Sequence, residues 1–333
     1  MTLVIVFLIV MIMVGYRRYM GFVDLNADEL ESRYCNKESK FVELGGLQQN
    51  IRLHYRDEGL SPEQNPDAPV IFLLHGIMAS LHTWDGWVDE LRNDFRIIRI
   101  DIPGFGLTGP YKDGIYSVER FVDAVDQLSD HLGIQSFSLA GNSMGGFISW
   151  RFGAAHPNKV ERLILLDPAG YSFKLPKIIK NIVLPISKVS VPLMMPRFIV
   201  TRGINEVYGD SSKVTDAMID RYHDLILREG NRKALMAVLE TLIYINPENI
   251  KQVSAPTLLL WGERDLWVPM KLAKKFTADL KNSRLITYPG VGHIPMEEIP
   301  QKSAEDAKAF LLSSDQSLAV KEVAVKKSQC KNV

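Results

Sequence analysis

The 333-residue chain is poor in cysteine: it has two, Cys35 and Cys330, which lie near opposite ends of the sequence. One distant pair excludes a disulfide-stapled scaffold, and neither cysteine has the closely spaced Cys or His neighbours of a zinc site. The sequence also contains no internal repeat, no metal-ligand cluster and no phosphate-binding glycine loop. We therefore expect neither a cofactor nor a metal.

The chain has no net charge, because Lys+Arg and Asp+Glu both total 39. Proteins that bind nucleic acid through a broad surface carry an excess of basic residues, so nucleic acid is not an expected partner. Hydrophobic residues make up 46% of the sequence, which is enough for a large buried core. The oligomeric state stays open.

The N-terminal segment is the exception in composition. Residues 2–14 are apolar apart from Thr2, and Tyr16, Arg17 and Arg18 follow them. A signal peptide would need basic residues before the apolar run and a small-residue cleavage site after it, and neither is present. The segment predicts a single membrane anchor over residues 1–19, with a buried helix as the alternative. The positive-inside rule would then place the rest of the chain in the cytoplasm.

Short apolar runs alternate with helix-like stretches through most of the remaining chain. The runs are Val70–Leu74, Ile97–Ile100, Phe137–Ala140, Leu163–Leu166, Thr257–Trp261 and Arg284–Tyr288. Such runs are typical of buried parallel strands, and two alternating segments at 41–44 and 51–55 precede them. The pattern predicts an α/β fold with a mostly parallel, eight-stranded sheet flanked by helices.

The alternation of strand-like and helix-like segments is interrupted once, because no strand-like run appears between Tyr171 and Pro247. That region predicts a helical insertion between two strands. The expected organisation is an anchor (1–19), a connector (20–40), a core (41–170 and 248–312), a helical cap (171–247) and a loose tail (313–333).

The strongest chemical signal is Gly141-Asn142-Ser143-Met144-Gly145, which follows an apolar run and opens a helix-like stretch. In this context the G-x-S-x-G pattern places a serine on a tight strand-to-helix turn. The small neighbours relieve crowding there, and the helix N-terminus stabilises negative charge. The motif predicts Ser143 as a nucleophile, with Gly141 and Gly145 as the glycines of the turn. A glycine-rich turn that serves packing alone is the alternative.

A serine hydroxyl needs a base and a carboxylate to become nucleophilic. His293 follows the last strand-like run, and Asp265 follows the run before it, in the chain order serine, acid, histidine. We therefore predict Ser143, Asp265 and His293 as the catalytic residues. Asp167, one strand earlier, and Glu263 are the alternatives for the acid.

An oxyanion formed at the serine needs two N–H donors. One should be the N–H of Met144, directly after the nucleophile. The other should come from the loop His75-Gly76-Ile77, where Gly76 lets the backbone turn and Ile77 donates. We expect His75 to shape this loop rather than to act as a base.

The motifs HGIMAS, DIPGFG, GNSMGG, WGERD and GVGHIPMEE occur in that order and together resemble the α/β-hydrolase superfamily. The resemblance covers about residues 41–312 and is greatest to membrane-associated esterases and lipases of the monoacylglycerol-lipase type. It implies the α/β-hydrolase fold and the site residues named above. Related dehalogenases and epoxide hydrolases use Asp where this chain has Ser143, so their chemistry is not expected.

The expected function is hydrolysis of carboxylic esters, above all lipid-derived or acyl-glycerol esters, through an acyl-enzyme on Ser143. The expected partner is a small-molecule ester or lipid substrate. Residues 175–200 are apolar but contain Lys177, Lys180, Lys188 and Arg197. They form either an ordinary cap helix or a basic surface that contacts anionic lipid, with Met194 and Met195 at an acyl-chain entrance.

Two alternatives stay open. The string SMGG is also similar to carbon–carbon bond hydrolases of ring-fission products, which would need a cation such as Arg151 to bind the substrate carboxylate. The other alternative is a non-catalytic binding or scaffold protein on the same fold. It would not explain why Ser, Asp and His follow three strands in triad order.

Overall fold

The computed structural model describes residues 2–45, 50–172, 180–181, 184–242 and 246–313. Most of the predicted C-terminal tail, from residue 314, lies outside the described residues. Parts of the predicted cap do so as well, including Lys177.

The predicted sheet is confirmed. Its strands are β1 (Ser39–Leu44), β2 (Ile51–Gly59), β3 (Val70–Leu74), β4 (Arg96–Ile100), β5 (Phe137–Asn142), β6 (Val160–Leu166), β7 (Thr257–Gly262) and β8 (Ser283–Tyr288). They are arranged in the order β1-β2-β4-β3-β5-β6-β7-β8. Only the pairings of β2 with β1 and β4 are antiparallel, and all others are parallel. The central strands β5 and β7 are buried at every residue, as strands covered on both faces must be.

The helices before the insertion are α1 (Thr2–Tyr19), α2 (Ala27–Tyr34), α3 (Asp85–Leu91), α4 (Val118–His131) and α5 (Met144–Ala155). Helix α4 begins where the Ser117 hydroxyl accepts a hydrogen bond from the Arg120 N–H, and it buries Phe121, Val125 and Leu128 at helical spacing. Helix α5 is apolar on nearly all sides, because it packs on strands β3, β5 and β6 and also against helix α4.

Within the described part of the chain between β6 and β7 lie four α-helices, which we call the insertion helices: α6 (Ser187–Leu193), α7 (Arg197–Val207), α8 (Asp216–Ile226) and α9 (Asn231–Leu242). The chain then returns to the sheet and ends with α10 (Ala273–Asp279), α11 (Pro295–Glu298) and α12 (Pro300–Leu311). The insertion therefore interrupts the sheet where the sequence lacks a strand-like run.

The predicted membrane anchor, and with it the membrane localisation and cytoplasmic orientation, is wrong. Within the described part of the chain, no helix is long and apolar enough to cross a membrane. The uncharged part of α1, residues 2–16, corresponds to about 22 Å of helix, whereas a hydrocarbon core is about 30 Å thick. The end of α1 is instead held by protein contacts, because Arg18 donates to the buried Asp224 of α8 at 2.9 Å.

The centre of the sheet should be sensitive to loss of volume. Phe72 on β3 is fully buried, with its ring centroid 4.2 Å from that of Phe137. We predict that Phe72→Ala lowers the free energy of unfolding by about 3–5 kcal/mol, because it removes buried apolar area and leaves a cavity. Urea denaturation measures this. Ile115→Ala, at a side chain that is 61% exposed, is the control and should stay within about 0.5 kcal/mol of wild type.

Candidate active site

Ser143 lies on the turn between β5 and α5. Its φ of 55° and ψ of −113° fall in a region that non-glycine residues rarely adopt. Backbone hydrogen bonds hold the turn in place: the Ser143 N–H donates to the Leu166 carbonyl, and the Ser143 carbonyl accepts from the N–H groups of Phe147 and Ala169. The side chain therefore stands at the carboxyl edge of the sheet, at the N-terminus of a buried helix.

The two glycines of the motif are needed because their surroundings leave no room for a side chain. A Cβ at Gly145 would overlap the carbonyl oxygens of Leu74 and His75, and one at Gly141 would overlap the carbonyl of Gly145. The close approach of β3, β5 and α5 is what brings the Ser143 turn to its position. The predicted role of both glycines in the turn stays a prediction.

His293 and Asp265 meet on the next loops of the same edge. His293 Nδ1 donates to Asp265 Oδ2 at 2.7 Å, while Asp265 Oδ1 accepts from the N–H groups of Trp267 and Val268 at 2.7 and 2.9 Å. The Trp267 ring stacks on the His293 ring with a centroid distance of 5.9 Å. Both His293 and Ser143 line one cavity, so the structure brings the three predicted residues together. Glu263 instead accepts from Thr287 at the surface.

Two side chains for which the sequence predicts no role hold the loop that carries His293. Both belong to motifs quoted above, GNSMGG and GVGHIPMEE. Asn142 donates from Nδ2 to the carbonyl of His293 at 2.9 Å. The buried Glu298 carboxylate accepts from Gly292 N–H at 2.8 Å and from Gly209 and Asp210 N–H at 2.9 Å each. One side chain thus ties the histidine loop to the chain that follows α7. In the sequence, this role of Glu298 is indicated only by its position, five residues after His293.

Glu297 makes a second link between this loop and the insertion helices. Its carboxylate accepts from Arg221 at 2.8 Å and from the hydroxyls of Tyr222 and Tyr208 at 3.1 and 3.2 Å. Burial raises the pKa of Glu297, and the Arg221 charge opposes that rise. The insertion and the histidine loop are therefore connected by two adjacent carboxylates.

Met144 and Ile77 are the predicted oxyanion donors. Met144 is the first residue of α5, so its N–H has no acceptor within the helix. Ile77 borders the same cavity as Ser143. His75 is a buried loop residue, as expected: Nδ1 donates to the Gly76 carbonyl at 2.7 Å, and Nε2 accepts from Ile102 N–H at 2.9 Å. The oxyanion role of the two donors stays a prediction.

The cavity at Ser143 is apolar. The insertion helices contribute Val200, Gly203, Ile204, Val207, Tyr222 and Ile226 to it. Met194 and Met195 are not among the described residues that line it, contrary to the expected acyl-chain entrance. Among the described lining residues none is Lys or Arg. Arg151 lies at a separate cleft, where it donates to Glu119 at 3.0 Å.

Asp167 stands beside Asp265 and His293, and one ligand atom from each of the three lies within 4.8 Å of the others. Such a cluster could in principle bind a metal ion. However, the oxygens of Asp265 and the Nδ1 of His293 are already used in hydrogen bonds with the protein. The donor set therefore fits a hydrogen-bonded group better than a metal site.

The model of the α/β-hydrolase fold family matches residues 69–300, which is more than half of the chain. The chain belongs to this family. The uncharacterized hydrolase YugF of Bacillus subtilis is 30% identical over 250 residues, covering 74% of this chain and 92% of that protein.

Two further relatives have names that point to different reactions. A 2-hydroxy-6-oxo-6-(2'-aminophenyl)hexa-2,4-dienoic acid hydrolase of Metapseudomonas resinovorans is 27% identical over 86% of this chain and 93% of its own length. Monoacylglycerol lipase abhd6-B of Xenopus laevis is 26% identical over 74% of this chain and 76% of its own length. This member of the α/β-hydrolase family is thus a hydrolase whose bond specificity the relatives leave undecided.

The α5 glycines provide a test of the turn. We predict that Gly145→Ala lowers the rate at which a fluorophosphonate labels Ser143 by at least about tenfold, because the new Cβ displaces the backbone of β3 or of the turn. Labelling is followed by intact-protein mass spectrometry. Gly153→Ala on the same helix is the matched control, since its Cβ would have no neighbour closer than 3.9 Å. Equal rates for the two variants would contradict the argument.

Proposed function

We propose that the protein is a serine hydrolase of carboxylic esters with uncharged, apolar acyl groups. The observation that carries the proposal is the apolar cavity that Ser143 shares with His293, whose Nδ1 is held by Asp265 at 2.7 Å. A nucleophile, a base and an orienting carboxylate in this arrangement are suited to acyl transfer. The α/β-hydrolase family provides the scaffold for it, but the fold does not choose the substrate.

In the proposed reaction, Ser143 Oγ attacks the ester carbonyl and its proton passes to His293 Nε2. Asp265 stabilises the imidazolium that forms, and the N–H groups of Met144 and Ile77 bind the oxyanion, each donor contributing about 3 kcal/mol. His293 returns the proton to the leaving alcohol, which leaves an acyl-enzyme. Water, activated by the same histidine, then releases the carboxylic acid.

The lining of the cavity favours esters over carbon–carbon hydrolysis. The dienoic acid in the name of the Metapseudomonas relative is anionic at neutral pH. Burying a carboxylate in an apolar cavity without a cation or hydrogen bonds is costly. The described residues that line this cavity include no Lys or Arg. Acyl-glycerols, named for the Xenopus relative, carry uncharged acyl chains and are the first natural esters to test.

The first experiment measures hydrolysis of p-nitrophenyl esters from acetate to palmitate and of monoacylglycerols. We expect turnover by the wild type and a loss of about five to six orders of magnitude in kcat for Ser143→Ala, because the nucleophile is removed. Full activity in Ser143→Ala would exclude the assignment. No turnover of any ester, with intact fluorophosphonate labelling of Ser143, would instead support a carbon–carbon or other specialised substrate.

A matched pair of esters tests the polarity of the cavity. We expect kcat/KM for p-nitrophenyl valerate to exceed that for p-nitrophenyl hemisuccinate at least about 100-fold, since the second ester buries a carboxylate of similar size. Initial rates at pH 7 to 8 measure this ratio. Equal values would place a cation at the acyl site and contradict the proposal.

A further inference from the structure

Asp167 has a buried carboxyl group beside the site, and the proposed mechanism gives it no role. It is the first residue after β6, and its φ of 45° lies in the left-handed region that Asp tolerates only at a cost. Its N–H donates to the Leu260 carbonyl at 3.0 Å, and its Oδ1 accepts from Gly262 N–H at 2.9 Å. Two contacts with β7 therefore hold a strained residue in one orientation.

The second oxygen of Asp167 is left without a hydrogen bond. Oδ2 is fully buried and has no hydrogen-bond donor among the described residues. Asp167, Asp265 and His293 have ligand atoms within 4.8 Å of one another. A buried carboxylate oxygen without a partner is costly, and two ionised carboxylates at this separation repel each other. A proton placed between the two carboxyl groups removes both costs.

The surroundings decide which group keeps the proton. The titratable groups that face Asp167 are Asp265, His293, Glu298 and Tyr288. Burial, and next the charge of Asp265, raise the pKa of Asp167 well above its ordinary value. Asp265 already accepts three hydrogen bonds, from Trp267 N–H, Val268 N–H and His293, so its carboxyl group is oriented as an acceptor, and Asp167 is the group left to donate.

We propose that Asp167 is a positioning residue of the active site, a neutral carboxyl group that donates a hydrogen bond to Asp265 and thereby fixes the acid against His293. This inference rests on the proposed function, because it assigns Asp265 to the triad. The hydrogen bond also withdraws negative charge from Asp265. When the Asp265 side chain is removed, the repulsion disappears, so Asp167 ionises and accepts from His293 in its place.

The pH dependence of Ser143 labelling by a fluorophosphonate tests the hydrogen bond. Asp167→Leu removes the donor and leaves the full charge of Asp265 facing His293. The acidic limb of the rate profile should then move to higher pH by about 0.5–1 unit, which lowers the rate on that limb by up to about three- to tenfold. Asp167→Asn keeps a donor and should restore most of the rate and of the midpoint. Profiles with the same midpoint in wild type and Asp167→Leu would overturn the proposal.

A second pair of variants tests whether Asp167 replaces Asp265 as the acceptor for His293. The fluorophosphonate should label Ser143 at least about tenfold faster in Asp265→Ala than in Asp265→Ala/Asp167→Asn. Only the single variant retains a carboxyl group that can ionise beside His293. Equal rates would contradict this role. Asp279→Asn changes a carboxylate that accepts from Tyr171 and, in the described structure, from no residue of the triad, and it is the control for loss of charge alone.

A stability measurement separates this inference from the proposed function. If folded Asp167 keeps its proton while the unfolded chain loses it above about pH 4, the wild type loses stability as the pH rises. Asp167→Asn lacks this proton, so Tm of the wild type relative to the Asn variant should fall as the pH rises above about 4, until the folded carboxyl group itself ionises. A constant difference would show that Asp167 is ionised and would overturn the inference. Absence of labelling in the wild type would contradict the proposed function instead.

Discussion

The register of the three central parallel strands is the constraint on which the site depends. Asn142 pairs with Leu166, and Leu166 pairs with Leu260, so β5, β6 and β7 reach the same edge of the sheet. The residues that follow, Ser143 and Asp167, emerge there side by side, and the Ser143 N–H donates to the Leu166 carbonyl. Parallel strands place functional residues at their carboxyl ends in this way, and the buried interior of β5 and β7 keeps the edge rigid.

The insertion helices complete the site and are joined to it through the histidine loop. Glu298 binds the backbone of Gly209 and Gly292 at once, and Glu297 binds Arg221 and Tyr222 of α8. Because the same loop carries His293, a displacement of the insertion should also disturb the base. The insertion therefore has two effects: it supplies the apolar wall of the cavity, and it stabilises the geometry at Ser143.

The sequence predicts the sheet well because short apolar runs such as Val70–Leu74 coincide with buried strands. It also predicts which residues meet at the site, because the G-x-S-x-G turn and the order serine, acid, histidine are local patterns. It fails where tertiary contacts decide. The apolar N-terminus favours an anchor, yet no helix in the described part of the chain is long and apolar enough to cross a membrane. Likewise, Asp167 and Asp265 can be told apart only when the hydrogen bond of His293 to Asp265 is seen.

The central claim is that Ser143 carries the acyl group during hydrolysis of an ester. Rapid mixing with p-nitrophenyl butyrate, acid quenching within one turnover and mass spectrometry of the peptides test it directly. The account predicts a butyryl adduct on Ser143 that appears with the burst of p-nitrophenol and decays as the acid is released. Turnover without any adduct on the peptide that contains Ser143, or an adduct on another residue, would contradict it.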